Sequence, residues 1–164
     1  MIGVAMAVPT ESLLRRLVLA LLAAGLAGLL AELVAMGHYE DWQQLIPIVT
    51  VALSLAAILW LAAAGSATSL RVLRLLMVAL ILAGAAGMFF HFQGNREFQL
   101  EIHPDLAGWE LVAKILHAKS PPALAPGVMA QLGMFGLVFV FRHPLLGQRN
   151  VPGSSPSSST TLEA

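Results

Sequence analysis

Apolar residues along most of this chain do not alternate with polar ones; they run together. Four stretches, residues 17–36, 46–64, 75–92 and 124–141, are free of charged side chains except for Glu32. A helix needs about 20 apolar residues to cross a bilayer. The first three stretches are close to that length, and the fourth is slightly shorter. Backbone N–H and C=O groups in lipid must be paired within the segment, so each stretch is predicted to be a helix. Pro47 and Pro126 stand near the starts of the second and fourth, where a missing N–H costs least. Thr68 or Ser69 is placed to cap the third.

The pattern changes between the third and fourth stretches. Phe98, Leu100 and Ile102 alternate with Glu97, Gln99, Glu101 and His103, which is the period of a short extended segment over 96–103. From Pro104 to about His117 the period becomes helical. Leu106, Trp109, Val112, Ala113 and Leu116 then form an apolar face, and Glu110, Lys114 and His117 a polar one. An amphipathic helix here is expected to lie on the outer membrane surface or cap the spans. Ser120, Pro121 and Pro122 end it.

The expected fold is therefore all-α and polytopic. Four transmembrane helices form an antiparallel bundle, with an outer-face amphipathic helix between spans three and four. Residues 1–150 make one transmembrane domain. Residues 151–164, rich in Ser, Thr, Pro and Gly, make a disordered cytoplasmic tail. The short connections at 37–44 and 65–69 make the first three spans neighbours. Small residues four apart (Ala24 and Gly28; Ala79, Ala83 and Gly87) and the pair Gly133 and Gly136 offer close-packing faces.

Basic residues orient these spans. Arg15, Arg16, Arg71, Arg74, Arg142 and Arg149 all fall on one side of a four-span arrangement; Arg96, Lys114 and Lys119 fall on the other. Basic residues favour the cytoplasmic side, so both termini are expected there, in a bacterial inner (plasma) membrane. Tyr39 and Trp42 then mark the outer interface, and Trp60 the inner one. The paired arginines before an apolar run resemble a signal peptide. That run exceeds the usual apolar core of about 7–15 residues, which favours an uncleaved anchor.

Composition agrees. Hydrophobic residues make up 58% of the 164 residues and charged residues 11%, with a mean hydropathy of +0.81. A soluble domain carries roughly a quarter charged residues. Such a chain has too little charge to cover its surface in water, so the lipid bilayer is its first partner. The formal net charge of +0 offers no basic face for nucleic acid. Cysteine is absent, which removes thiol catalysis, disulfide exchange and thiolate metal sites.

Glu32 lies on the order of 6 Å below the outer end of its span at the helical rise. A carboxylate inside a span marks a functional position by default. Thr50, His91 and Gln131 fall at similar depth, so Glu32, Thr50, His91 and Gln131 form a candidate polar layer. It is either a hydrogen-bonded seal or a proton-accepting pocket. His38, His91, His103, Glu97 and Glu101 form a candidate metal set, because imidazole and carboxylate suit zinc, iron or manganese. Met36, Met88 and Met129 with His91 offer a softer site that suits Cu(I), against the ordinary gap-filling use of methionine. A bis-imidazole haem has only His38 and His91 to draw on, with His38 in a loop. No nucleophile–base pair, phosphate loop or dinucleotide fingerprint occurs, which points away from an enzyme. The inner halves of the spans carry no polar path for a channel. Two expectations remain. One is a structural or accessory subunit that binds other membrane protein subunits. The other is a carrier or enzyme whose outer-leaflet site, around Glu32 and His91, handles protons, a quinone or lipid, or a metal ion.

Overall fold

The computed structural model describes residues 10–118 and 124–147, and every regular element among them is helical. In chain order these are α1 (Thr10–Ala35), α2 (Trp42–Ala64), α3 (Ala67–Ile102), α4 (Gly108–Leu116), α5 (Leu124–Val140) and the single turn α6 (Pro144–Gly147). Three of them, α1, α2 and α3, are long and apolar enough to cross a membrane. The apolar α5 has 17 residues. The expected tail at 151–164, the stop at Ser120, Pro121 and Pro122, and the basic residues Lys119 and Arg149 lie outside the described residues.

The turns have local causes. Gly37 takes a left-handed φ of +68° after α1, where a side chain would be strained. Gln44 in the first turn of α2 folds back, and its Oε1 accepts from the backbone N–H groups of Glu40 (2.9 Å) and Asp41 (3.4 Å). Gly65 ends α2 in the left-handed region (φ +53°) and donates its N–H to the Leu61 carbonyl. The cap of α3 is Ser66, not Thr68 or Ser69: its Oγ accepts from the Ser69 N–H at 3.1 Å. Helix α3 starts one residue after Gly65–Ser66, so Thr68 and Ser69 already lie inside its first turn.

Helix α3 also corrects the reading of 96–103. It continues without a break to Ile102, 36 residues in all, or about 54 Å at 1.5 Å per residue. Its uncharged part, residues 75–95, is enough for a hydrocarbon core of about 30 Å. The last turns, from Arg96 onward, project beyond it. Phe98 and Ile102 are four apart, as are Glu97 and Glu101, so these residues satisfy a helical period as well as an alternating one. Helix α4 begins at Gly108 rather than at Pro104, which leaves Leu106 outside it, and its protein-facing side is centred on Ile115, which is fully buried. Trp109, assigned to the apolar face, is 77% exposed.

Four helices make a closed circuit of contacts: α1 on α2, α2 on α3, α3 on α5, and α5 back on α1, with α4 and α6 both resting on α3. Each contributes a narrow buried stripe. On α1 it is Leu22, Leu26, Leu29 and Leu33; on α3, Leu70, Leu73, Met77, Leu80 and Gly84. The remaining apolar faces are exposed, as lipid-facing surface would be.

The tightest contact joins α3 to α5. A Cβ added at Gly84 would lie 2.6 Å from the Pro126 carbonyl oxygen and 2.9 Å from the Ala130 nitrogen; one at Gly133 would lie 2.7 Å from the Met77 carbonyl oxygen. A Cβ at Gly136 would collide with Met77 Sδ. At these points the two backbones touch, as small-residue seams in membranes allow. Gly28, grouped with Ala24 as a packing face, has no partner within the described residues of this chain.

A polar clamp holds the other end. Arg15 Nη1 donates to the Phe139 carbonyl (3.1 Å) and Nη2 to the Arg142 carbonyl (3.4 Å). Glu11 Oε1 pairs with the same guanidinium at 2.9 Å. Arg142 has a left-handed φ of +47°, and Arg15 thereby satisfies carbonyls at the C-terminal end of α5.

The glycine seam makes a paired prediction. G84A forces backbone atoms apart and is expected to destabilise the protein by about 1–3 kcal/mol. G28A meets nothing and is expected to be neutral or to stabilise by up to about 1 kcal/mol through helix propensity. Thermal unfolding of both variants in one detergent tests this; equal losses would contradict the seam.

Candidate functional site

The ends of α1 and α2, the middle of α3 and the start of α5 enclose a cavity of about 600 Å³. That is within the range of small-molecule sites, about 300–1,000 Å³. Its apolar walls come from Leu29 and Leu33 of α1, Ile46 and Pro47 of α2, Ala83, Ala86, Gly87 and Phe90 of α3, and Pro126 and Met129 of α5. Polar groups enter from the connecting segment and the helix ends: Glu32, His38, Asp41, Gln43, Gln44, His91 and Asn95.

Each has a local reason to be there. Glu32 is one residue before Leu33 on the buried stripe, so it sits at the edge of that stripe and is itself exposed. His38 is delivered by the Gly37 turn; its N–H bonds back to the Leu33 carbonyl at 3.0 Å. Pro47 lies in the second turn of α2 rather than at its start. Lacking an N–H, it cannot serve the Gln43 carbonyl, which loses its usual helical donor.

The two histidines meet. The rings of His38 and His91 stack with centroids 6.3 Å apart and an angle of 21° between planes. Burial, and secondarily the positive charge that His91 would carry, push the His38 pKa below its ordinary value. At neutral pH His38 is therefore an uncharged imidazole that both donates and accepts hydrogen bonds. His143, at the opposite end, is also lowered, first by burial and then by Arg15.

Of the polar layer, only Glu32 and His91 reach the cavity. Thr50 donates to the Ile46 carbonyl of its own helix at 2.7 Å and lines a separate shallow depression with Trp42. Gln131 is exposed and does not line the cavity. Thr50 and Gln131 face away from the space that Glu32 and His91 share. Of the metal set, His38 and His91 come together, while Glu97, Glu101 and His103 stand on the projecting end of α3 and do not line the cavity. Among the described residues no three His, Asp or Glu side chains converge as a ligand set. Of the methionines, Met36 and Met129 line the cavity and Met88 does not. Sequence reasoning missed Gln43, Gln44 and Asn95 as lining groups. The signal was available in their position: Gln43 and Gln44 precede the apolar run of α2, and Asn95 follows that of α3.

The pKa shifts predict a pH dependence. Below about 6.5 the unfolded chain takes up protons on these histidines while the folded chain resists them. Folded stability contributed by neutral His38 and His143 is thus present above that pH and lost as pH falls beneath it. The melting temperature should drop between pH 7.5 and 5.5, and the drop should be smaller in H38Q/H143Q. An unchanged slope would contradict the assignment.

Comparison with protein-family models, with curated proteins and with solved structures found no match.

Proposed function

We propose that this chain is a four-span integral membrane protein whose outer-face cavity, with Glu32 and His91 on its wall, is a binding site for an amphiphilic small molecule. The observation that carries the reading is the cavity's composition: apolar walls from α1, α2, α3 and α5, with carboxylate, imidazole and amide groups where the apolar runs stop. Such a division matches a ligand with an oily body and a polar head. Helix α5 supports the span count. Its 17 residues are uncharged, which is at the lower limit of roughly 17–25 for a crossing helix, and it packs against both α1 and α3. With four spans in an antiparallel bundle, the cavity faces the non-cytoplasmic side of a bacterial inner membrane.

A second reading, an accessory subunit of a larger membrane complex, draws on one observation. Beyond the uncharged stretch of α3, Phe98 (57%) and Ile102 (54%) are exposed, as is Trp109 (77%) of α4. Exposed apolar side chains beyond a span suit a protein neighbour. The two readings are compatible, since a subunit can carry a site.

Single-cysteine variants of this cysteine-free chain test the arrangement. An impermeant maleimide on intact cells should modify E40C, D105C and A86C, the last through the cavity. S66C and L145C should react only after permeabilisation. Labelling of L145C on the same side as D105C would leave α5 uncrossed and overturn the four-span reading; a silent A86C would mean that the cavity is closed to the outer side.

A further inference from the structure

The charge of the cavity is one-sided. Glu32 and Asp41 bring two carboxylates to its lining. Among the described residues no lysine or arginine lines it; Arg96 follows Asn95 on α3 but does not take part. Nor is either carboxylate neutralised elsewhere: among the described residues, the one salt bridge joins Arg15 to Glu11, beside the C-terminal end of α5. The other polar groups do not change the sign. His38, whose pKa burial and the neighbouring His91 push below its ordinary value, and His91 itself are imidazoles rather than fixed cations, and Gln43, Gln44 and Asn95 are uncharged amides.

An anionic head group placed here would meet two carboxylates and no lysine or arginine among the described residues. A cation would meet two carboxylates that no salt bridge among the described residues neutralises, one of them the N-cap of α2, at the edge of a low-dielectric region, where their attraction exceeds its value in water. The apolar walls at the same time require an oily body. Resting on the reading that the cavity takes a ligand, we propose that it is selective for cationic amphiphiles, with an ammonium-type head held toward Glu32 and Asp41 and an apolar body against Leu29, Leu33, Phe90 and Met129.

The test uses the full chain in lipid nanodiscs and three fluorescent probes with one common naphthyl–octyl body, ending in trimethylammonium, hydroxyl or carboxylate. Binding is read at pH 7.5 relative to A86W, which fills the cavity and corrects for partition into lipid. The trimethylammonium probe is expected to bind at least about 10-fold more tightly than the carboxylate probe, as two nearby opposite charges would give. E32Q/D41N should reduce that ratio to within about 2-fold. Retained binding of the hydroxyl probe by E32Q/D41N shows that the variant is folded; if it is lost, the single variants E32Q and D41N, each expected to lower the ratio, replace it. Equal or tighter binding of the hydroxyl or carboxylate probe by the unmodified protein overturns the charge selectivity and leaves the cavity as a ligand site. No difference between the unmodified protein and A86W for any probe overturns both.

Discussion

The cavity end of this protein depends on how closely α3 and α5 approach. Lipid chains are as apolar as leucine, so helices in a bilayer gain little from leaving them, and close packing must supply the attraction. Gly84, Gly133 and Gly136 remove the side chains that would hold the two axes apart, and the backbones meet at the Pro126 and Met77 carbonyls. The contact fixes where α5 begins relative to α3. Pro126 is set against Gly87, and both then form part of the cavity wall. Arg15 secures the opposite end of α5 to α1, so the short helix is held at both ends by unlike forces, dispersion at one and charge-assisted hydrogen bonds at the other.

The cavity is a consequence of unequal helix lengths. Helix α1 stops at Ala35, α2 starts at Trp42 and α5 at Leu124, whereas α3 runs on to Ile102. Where its neighbours end, α3 loses packing partners while still carrying Phe90, His91 and Asn95. The vacated space is lined below by side chains of the spans and above by the polar residues that terminate them. A carboxylate such as Glu32 is tolerable at this depth because it borders that space rather than close-packed hydrocarbon. The site and the fold thus have one origin, and no dedicated binding loop is needed.

Much of this was legible in the sequence, and the failures share a cause. The helices at 10–35, 42–64 and 124–140 follow the uncharged runs, since length and absence of charge are properties of a segment alone. Facing is not. A helix that is apolar all round gives no periodic signal for its buried stripe, so Gln131 was grouped with Glu32 although it does not reach the cavity. Residues 96–102 were ambiguous because a pattern of Phe98, Leu100 and Ile102 satisfies period two and, through the pair four apart, period 3.6. The continuity of α3 with its own apolar run decides between them. Arg15 was legible as a topological marker but not as a clamp, because its acceptors, Phe139 and Arg142, are more than a hundred residues away in the chain.

The central claim is the contact between α3 and α5 at the cavity wall, and an absence of native cysteine makes it directly accessible. A Cβ at Gly87 would lie 3.2 Å from the Pro126 Cβ, near the separation of about 3.5–4.5 Å that a disulfide spans. In membranes containing G87C/P126C, mild oxidation should cross-link the two positions nearly completely within one chain, while G28C/P126C should remain reduced. A G87C/P126C protein that stays reduced, or that links only between chains, would contradict the account.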